Sequence, residues 1–196
     1  MTLKEKENSL QTKKLLSVGI DVGSTNGAIA IVDEELKVLC AQKVPIYQTE
    51  IKSKKNQSKL NKETGKYERD YKKRTWVDFR EVGKVFEPFL PAPLVLTIEK
   101  VLVKPGEGET SSFAFGNAMG VFQGLYPYLN PLAYYEPLAK EWKKELGVTA
   151  IKETSVKLAT DIYEIDLKDF VKKGKVDDIA EALLLAFYGF KKFYNK

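Results

Sequence analysis

The sequence predicts a single α/β domain built on a mixed sheet. Three observations carry that prediction. Short apolar runs and helical patterns follow the order three strands, helix, strand, helix, strand, then helices. The first three strands are joined by turns too short for a crossover, which makes them an antiparallel meander. The chain has 196 residues, 43% apolar and 30% charged, enough for one good-sized core and short for two.

Each element has a local cause. The N-terminal stretch MTLKEKENSLQTKK, residues 1–14, is polar and charged, lacks the apolar centre of a signal peptide, and is expected to be a disordered tail. Residues 15–22 form a buried strand ending near Asp21, and a glycine-rich turn follows. GAIAIVD (27–33) and LKVLCAQKV (36–44) are two more strands around the acidic turn Asp33-Glu34-Glu35. The single cysteine, Cys40, is expected as a small core residue of its strand. Residues 49–74 carry ten Lys or Arg against four Asp or Glu and almost nothing apolar, which predicts a basic loop or insertion, mobile when free.

Thr75 with Asp78 resembles a capping box and starts a helix running to about Phe86, before Pro88. PLVLTIE (93–99) is a buried strand ending on Glu99, and 104–110 is a loop. Residues 111–129 form a helix with small residues at Ala114, Gly116, Ala118, Gly120 and Gly124. LAYYEP (132–137) is a short strand. PLAKEWKKELG (137–147) is a helix with Pro137 first and Gly147 last. Residues 152–164 and 175–196 complete the chain as helices.

Composition narrows the chemistry. The chain has no histidine, which excludes Ser-His-Asp and Cys-His catalysis and the usual zinc sites. One cysteine allows no disulfide framework and fits a reducing, cytoplasmic compartment. No apolar run is long enough for a membrane span. A net charge of +5 mildly favours a polyanionic partner.

Most carboxylates here are ordinary surface groups, and four are not. Asp21 and Glu99 each end an apolar strand, and strand ends at the edge of an α/β sheet are where ligands sit. Locally, Asp21 fits a metal site beside a nucleotide phosphate as well as an acidic cluster that cuts nucleic acid. Glu181 is the only charged residue from Ile179 to Phe190, inside a helix apolar nearly all round. A buried acid there requires a cation or hydrogen bonds. Asp178 precedes it by three residues and shares its face. Asp177 suits a helix start, where an acid meets the dipole favourably. Four converging carboxylates repel one another unless a cation binds. Oxygen-only donors select hard ions such as Mg²⁺ or Mn²⁺. Two such ions can activate a water and stabilise the leaving oxygen of a phosphodiester without any histidine.

These residues carry a family resemblance. The chain resembles the RuvC-type Holliday-junction resolvases of the RNase H-like nuclease superfamily, especially their divergent phage-type branch. GIDVGSTNGAIAIVD resembles the first catalytic strand, with Asp21 as its acid, and LVLTIEK the strand carrying the second, Glu99. SSFAFGNAMGVFQGL resembles the helix that contributes to the family's dimer interface. DDIAEALLLAFYG resembles the ending D-x-x-D-A-L-L-x-A, which maps two further acids onto Asp178 and Glu181. EPLAKEWKKELG and Lys152 resemble the basic region that handles the junction backbone.

The resemblance covers residues 15–190. It implies an RNase H-like fold with a mixed five-stranded sheet flanked by helices. It implies a homodimeric, metal-dependent endonuclease that resolves four-way DNA junctions with two Mg²⁺ per site, Mn²⁺ substituting, and leaves 5′-phosphate and 3′-hydroxyl ends. Asp21, Glu99, Asp178 and Glu181 would be both catalytic acids and metal ligands. Lys104, Lys140, Lys143, Lys144 and Lys152 would contact phosphate. Tyr67, Tyr71 and Trp76 could stack on unpaired bases or close the insertion on the core, and the core is the better expectation for Trp76. No membrane and no nucleotide cofactor are implied.

Three departures stand out. Glu181 replaces the aspartate of bacterial members, the insertion at 49–74 is long for the family, and Leu102 stands where bacterial members carry a wedging aromatic. Rival functions share the fold. A nuclease for forks, flaps or RNA–DNA hybrid would use the same acids. A binding module without catalysis would not need all four. Asp21-Val22-Gly23-Ser24-Thr25 also resembles the first phosphate loop of actin-like sugar kinases and ATPases, but those need a second such domain and no second D-x-G-x-[ST] occurs.

Overall fold

A computed structural model of the chain describes residues 14–23, 25–52, 58–60, 63, 65, 67–69, 71–102, 106, 108–171 and 176–195, with backbone alone at 52, 58–60, 67–69, 71 and 72. Strands β1 (Leu16–Asp21), β2 (Ala28–Asp33) and β3 (Val38–Lys43) form the predicted meander. β4 (Ile46–Lys52) to β7 (Tyr71–Val77) follow, with β5 (Ser58–Leu60) and β6 (Tyr67–Arg69) between them. Then come α1 (Phe79–Phe86), β8 (Leu94–Ile98), α2 (Glu109–Gln123), α3 (Leu125–Leu129) and β9 (Ala133–Tyr135). Helices α4 (Ala139–Leu146), α5 (Lys152–Tyr163) and α6 (Asp177–Tyr194) close the chain. Among the described residues no helix is long and apolar enough to cross a membrane.

The main sheet has five strands in the order β3-β2-β1-β8-β9. β1, β2 and β3 are antiparallel, while β8 runs parallel to β1 and β9 parallel to β8. This is the mixed five-stranded sheet that the sequence predicts.

Period-two alternation sorts each strand between two cores. Leu16, Val18 and Ile20 join Val82, Phe86, Phe122 and Leu125 on one side, beneath α1, α2 and α3. The opposite face carries small residues: Ser17, Gly19, Ala28, Ala30 and Thr97. Helix α6 lies on that face. A Cβ added at Gly19 would stand 2.0 Å from the Ala182 carbonyl oxygen, and one at Gly189 would stand 2.4 Å from Thr97 Oγ1. Ser17 Oγ donates to the Ala186 carbonyl at 2.7 Å. Residues 182, 186 and 189 therefore descend β1 from its C-terminal end, so the first turn of α6 arrives where β1 finishes. A side chain at Gly19 has backbone to displace, and overpacking of that kind costs about 1–3 kcal/mol or more.

Several expectations are corrected. The segment 49–74 is not a plain loop: β4 and β7 pair along their whole length, Ile46 with Val77 to Lys52 with Tyr71, and β5 pairs with β6 beyond them. Thr75 is a strand residue. The cap of α1 is Asp78, whose carboxylate accepts from the N–H groups of Arg80 and Glu81. The helix predicted over 111–129 is broken at Gly124, because Pro127 has no N–H to bond the carbonyl of residue 123. Pro137 precedes α4 rather than opening it, and its carbonyl accepts from Lys100 N at 2.9 Å, extending the β8 edge. Cys40 is a half-buried free thiol on edge strand β3. The N-terminal residues 1–13 lie outside the described residues.

Candidate active site

The register of the central strands places the first two acids. Ile20 pairs with Ile98 in parallel, and the Glu99 N–H donates to the Ile20 carbonyl at 2.9 Å. Asp21 and Glu99 are thus neighbours at the C-terminal ends of adjacent strands. Both sit on the α6 face, since Ser17, Gly19 and Asp21 alternate with the buried residues Val18 and Ile20. The first turns of α6 bring Glu181 to the same place. One carboxylate oxygen from each of Asp21, Glu99 and Glu181 lies within 4.8 Å of the other two.

Electrostatics follow from this crowding. Asp21 is held well above the usual carboxylate range, first by desolvation and then by the charges of Glu99, Glu181 and Asp178, with Lys143 opposing. Glu99 is raised for the same reasons, burial first and Glu181 second, against Lys143 and a hydrogen bond from Trp142. Helix α4 supplies both opposing groups. The buried Trp142 donates its indole N–H to Glu99 Oε2 at 3.2 Å, and Lys143 Nζ donates to Glu181 Oε1 at 2.7 Å. Ser155 of α5, fully buried, donates to the same Glu181 oxygen at 3.4 Å.

Asp178 does not join the three. Its Oδ2 accepts from Lys43, and its Oδ1 lies 3.9 Å from Lys152 Nζ. Lys43 ends β3 directly across from Ala28, which itself pairs with Asp21. The row Asp21–Ala28–Lys43 thus runs across the sheet and leads the ammonium to the start of α6. Asp177 is only 4% exposed and hydrogen-bonds Lys152. Burial pushes its carboxyl up, but the Lys152 hydrogen bond and charge outweigh burial and leave it below the usual range.

The predicted phosphate-binding lysines separate into two groups. Lys140, Lys143 and Lys144 line one open cleft of about 590 Å³ beside α4, and Lys143 bridges that cleft to Glu181. Lys152 opens α5 and faces the acids of α6. Lys104 lies outside the described residues, as do the side chains of Tyr67 and Tyr71. Trp76 is half-buried against the edge of Phe113 rather than in the core. Leu102 is 57% exposed.

Sequence reasoning missed Lys43, Trp142 and Ser155. For Ser155 a signal existed: it follows Lys152 by three residues on one helix face, which points both at α6. For Lys43 the signal is the strand register, which appears only once the meander is paired.

No protein-family model matches the sequence, and no curated protein matches it. Solved structures do. RuvC of Thermus thermophilus in complex with a Holliday junction substrate superposes with a TM-score of 0.54 at 16% identity, over 91% of this chain and 96% of that one. A second Thermus thermophilus RuvC structure gives 0.49 at 17% identity, over 90% and 96%. The yeast mitochondrial Holliday junction resolvase Ydc2 gives 0.47 at 15% identity, over 94% and 82%. With the strand order of the sheet and the match to the junction-bound RuvC, the chain has the fold of RuvC, a mixed five-stranded sheet flanked by helices.

Proposed function

We propose that the protein is a divalent-metal-dependent endonuclease that resolves four-way DNA junctions, acting as a homodimer. The observation that carries the reading is the convergence of Asp21, Glu99 and Glu181 at the C-terminal ends of two parallel strands. The donor set fits a metal. It is all oxygen, Asp21 and Glu99 are raised by burial and then by the neighbouring acids, and the chain has no histidine to draw zinc. Asp21, Glu99 and Glu181 would hold one Mg²⁺ or Mn²⁺, and Asp178, released from Lys43, would help hold a second. Bound there, the ions supply the charge stabilisation and water activation of two-metal phosphodiester hydrolysis.

The chain's own residues do the rest. Trp142 fixes the orientation of Glu99, and Lys143 and Ser155 fix that of Glu181. Lys140, Lys143 and Lys144 offer a cationic cleft to the DNA backbone next to the acids. Gly116 and Gly120 of α2 are exposed, and a Cβ at either would meet nothing within 4 Å, so that face leaves room for the close approach of a second subunit. A symmetric dimer would present two sites to the opposed strands of a nearly two-fold junction. The substrate class is brought here from the Thermus thermophilus RuvC, solved with a Holliday junction substrate.

The test is Mg²⁺-dependent cleavage of a synthetic four-way junction beside a linear duplex and a fork of matched sequence, with Mn²⁺ in parallel. Paired symmetrical nicks in the junction are expected. Equal cutting of fork and junction would make the enzyme a general branched-DNA nuclease, and no cutting of any of them would remove the nuclease reading.

A further inference from the structure

The β4–β7 ribbon borders a second cleft with the start of α2. A pocket of about 260 Å³ lies between them, lined among others by Lys73, Arg74, Trp76, Thr25, Ser111 and Phe113. Among the described residues, none that lines it is acidic. From this chemistry we propose that the pocket is a slot for one unpaired DNA nucleotide, its base stacked on Phe113 and its phosphate held by Lys73 and Arg74.

Four features support the slot. Phe113 is 60% exposed and lines this pocket together with Lys73 and Arg74. Its ring is braced by Trp76, with centroids 5.9 Å apart at 89°. Trp76 is itself fixed, because its indole N–H donates to Thr49 Oγ1 at 2.9 Å across the ribbon and Arg74 lies 6.0 Å over its ring. These contacts hold the Trp76 ring against Phe113 before any ligand arrives. Finally, Thr25, which lines the slot, lies only four residues after Asp21 in the chain that leaves β1. Aromatic stacking on any base together with cations for the backbone is the usual way single strands are gripped without sequence preference.

The inference rests on the nuclease reading for its substrate but is tested separately. The probes are a labelled single-stranded oligonucleotide and a blunt duplex of the same length, titrated by fluorescence anisotropy without divalent ions. Phe113→Ala is expected to weaken single-strand binding about five- to a hundredfold and duplex binding less than about twofold, as loss of one stacked base requires. Phe113→Tyr keeps the ring and should bind as the native chain does. Arg74→Gln should weaken both probes and lower the salt slope by about one. Equal losses on both probes with Phe113→Ala, or none on either, would overturn the slot. A chain that keeps ring-dependent single-strand binding but cuts no branched DNA with Mg²⁺ would support the slot and overturn the resolvase. One that cuts junctions while Phe113→Ala binds normally would do the reverse.

Discussion

Two groups of carboxylates stand side by side at the start of α6 under opposite electrostatics. Asp21, Glu99 and Glu181 face one another with Lys143 as the one ammonium paired into the group among the described residues, and Asp21 and Glu99 are pushed upward. Asp177 and Asp178 face two lysines, Lys43 and Lys152, and Asp177 is pulled downward. Three acids with one cation carry a charge deficit, whereas two acids with two cations are balanced. The comparison teaches that proximity does not make acids equivalent. The unbalanced group is built to gain a cation, and the balanced one must give a cation up before it can take part.

The largest effect is expected from Asp21→Asn. Loss of a direct ligand should cut cleavage by more than the ~10–100-fold typical of a supporting residue. The same change should raise the melting temperature of the metal-free protein, because it deletes a repelled, desolvated charge. A gain of ~1 kcal/mol corresponds to about 2–4 °C for a chain of this size. Activity lost with stability gained marks a site strained for function. A melting temperature that falls instead would break the account of the unbalanced group.

Asp178→Asn sharpens the contrast. Cleavage should again fall by more than about a hundredfold, while binding of the junction survives. The first ion should remain and the second should not, so Mn²⁺ stoichiometry should drop from two per chain to one. Two ions retained with cleavage intact would place Asp178 outside the metal site and make its pairing with Lys43 purely structural.

How much of this was legible beforehand depends on where each signal lives. The sheet and the acids at its strand ends follow from local patterns: an apolar run that stops on Asp21 or Glu99, and one acid in the otherwise apolar helix around Glu181. The separation of Asp178 from the trio did not follow. Its i,i+3 spacing turns it toward the side of Glu181, but Lys43 reaches it only through the register of three strands. The ribbon was hidden for another reason. An antiparallel pair exposed to water needs no apolar face, so Thr49–Arg74 shows no alternation to detect, and its stability lies in backbone pairing. Thr75 and Asp78 imitate a capping box, yet the working cap is Asp78 itself, three residues later. Phe113 and Trp76 are far apart in sequence, and nothing local tells that they meet.

A smaller effect is expected from pH. The folded state holds protons on Asp21 and Glu99 more tightly than the unfolded chain does. Between the ordinary carboxylate range and their raised values, the folded state binds more protons, so stability falls as pH rises through that window. Asp177 acts below it and in the opposite sense. Its stabilising contribution is present above the unfolded value of 3.8 and lost as pH falls through the depressed folded one. Thermal melts in EDTA should therefore show maximal stability on the acid side of neutrality. Asp21→Asn should flatten the alkaline limb, and saturating Mg²⁺ should raise it in the native chain alone, by about 2.7 kcal/mol at a hundred times Kd. A native profile without an alkaline decline would count against the crowding of Asp21 and Glu99.

The smallest effect belongs to Lys43. Its side chain is 39% exposed, and a pair so open to water is worth about 0.2–1 kcal/mol. Lys43→Met should leave the first ion untouched, since Lys43 is paired with Asp178 rather than with the trio. It should free Asp178 and tighten the second ion by at most about fivefold, the ratio that the ion pair's ~1 kcal/mol allows. Lys143→Met should act differently, because Lys143 holds Glu181 at 2.7 Å and is the cation that opposes the rise of both Asp21 and Glu99. Removing it deepens the deficit of the trio and leaves Glu181 with the weaker hydrogen bond of Ser155 alone. Two-ion titrations of the two variants therefore separate the groups: Lys43→Met moves only the second binding step, whereas Lys143→Met moves the first. If both lysines moved the same step, the five carboxylates would form one coupled site and the division between a balanced and an unbalanced group would fail.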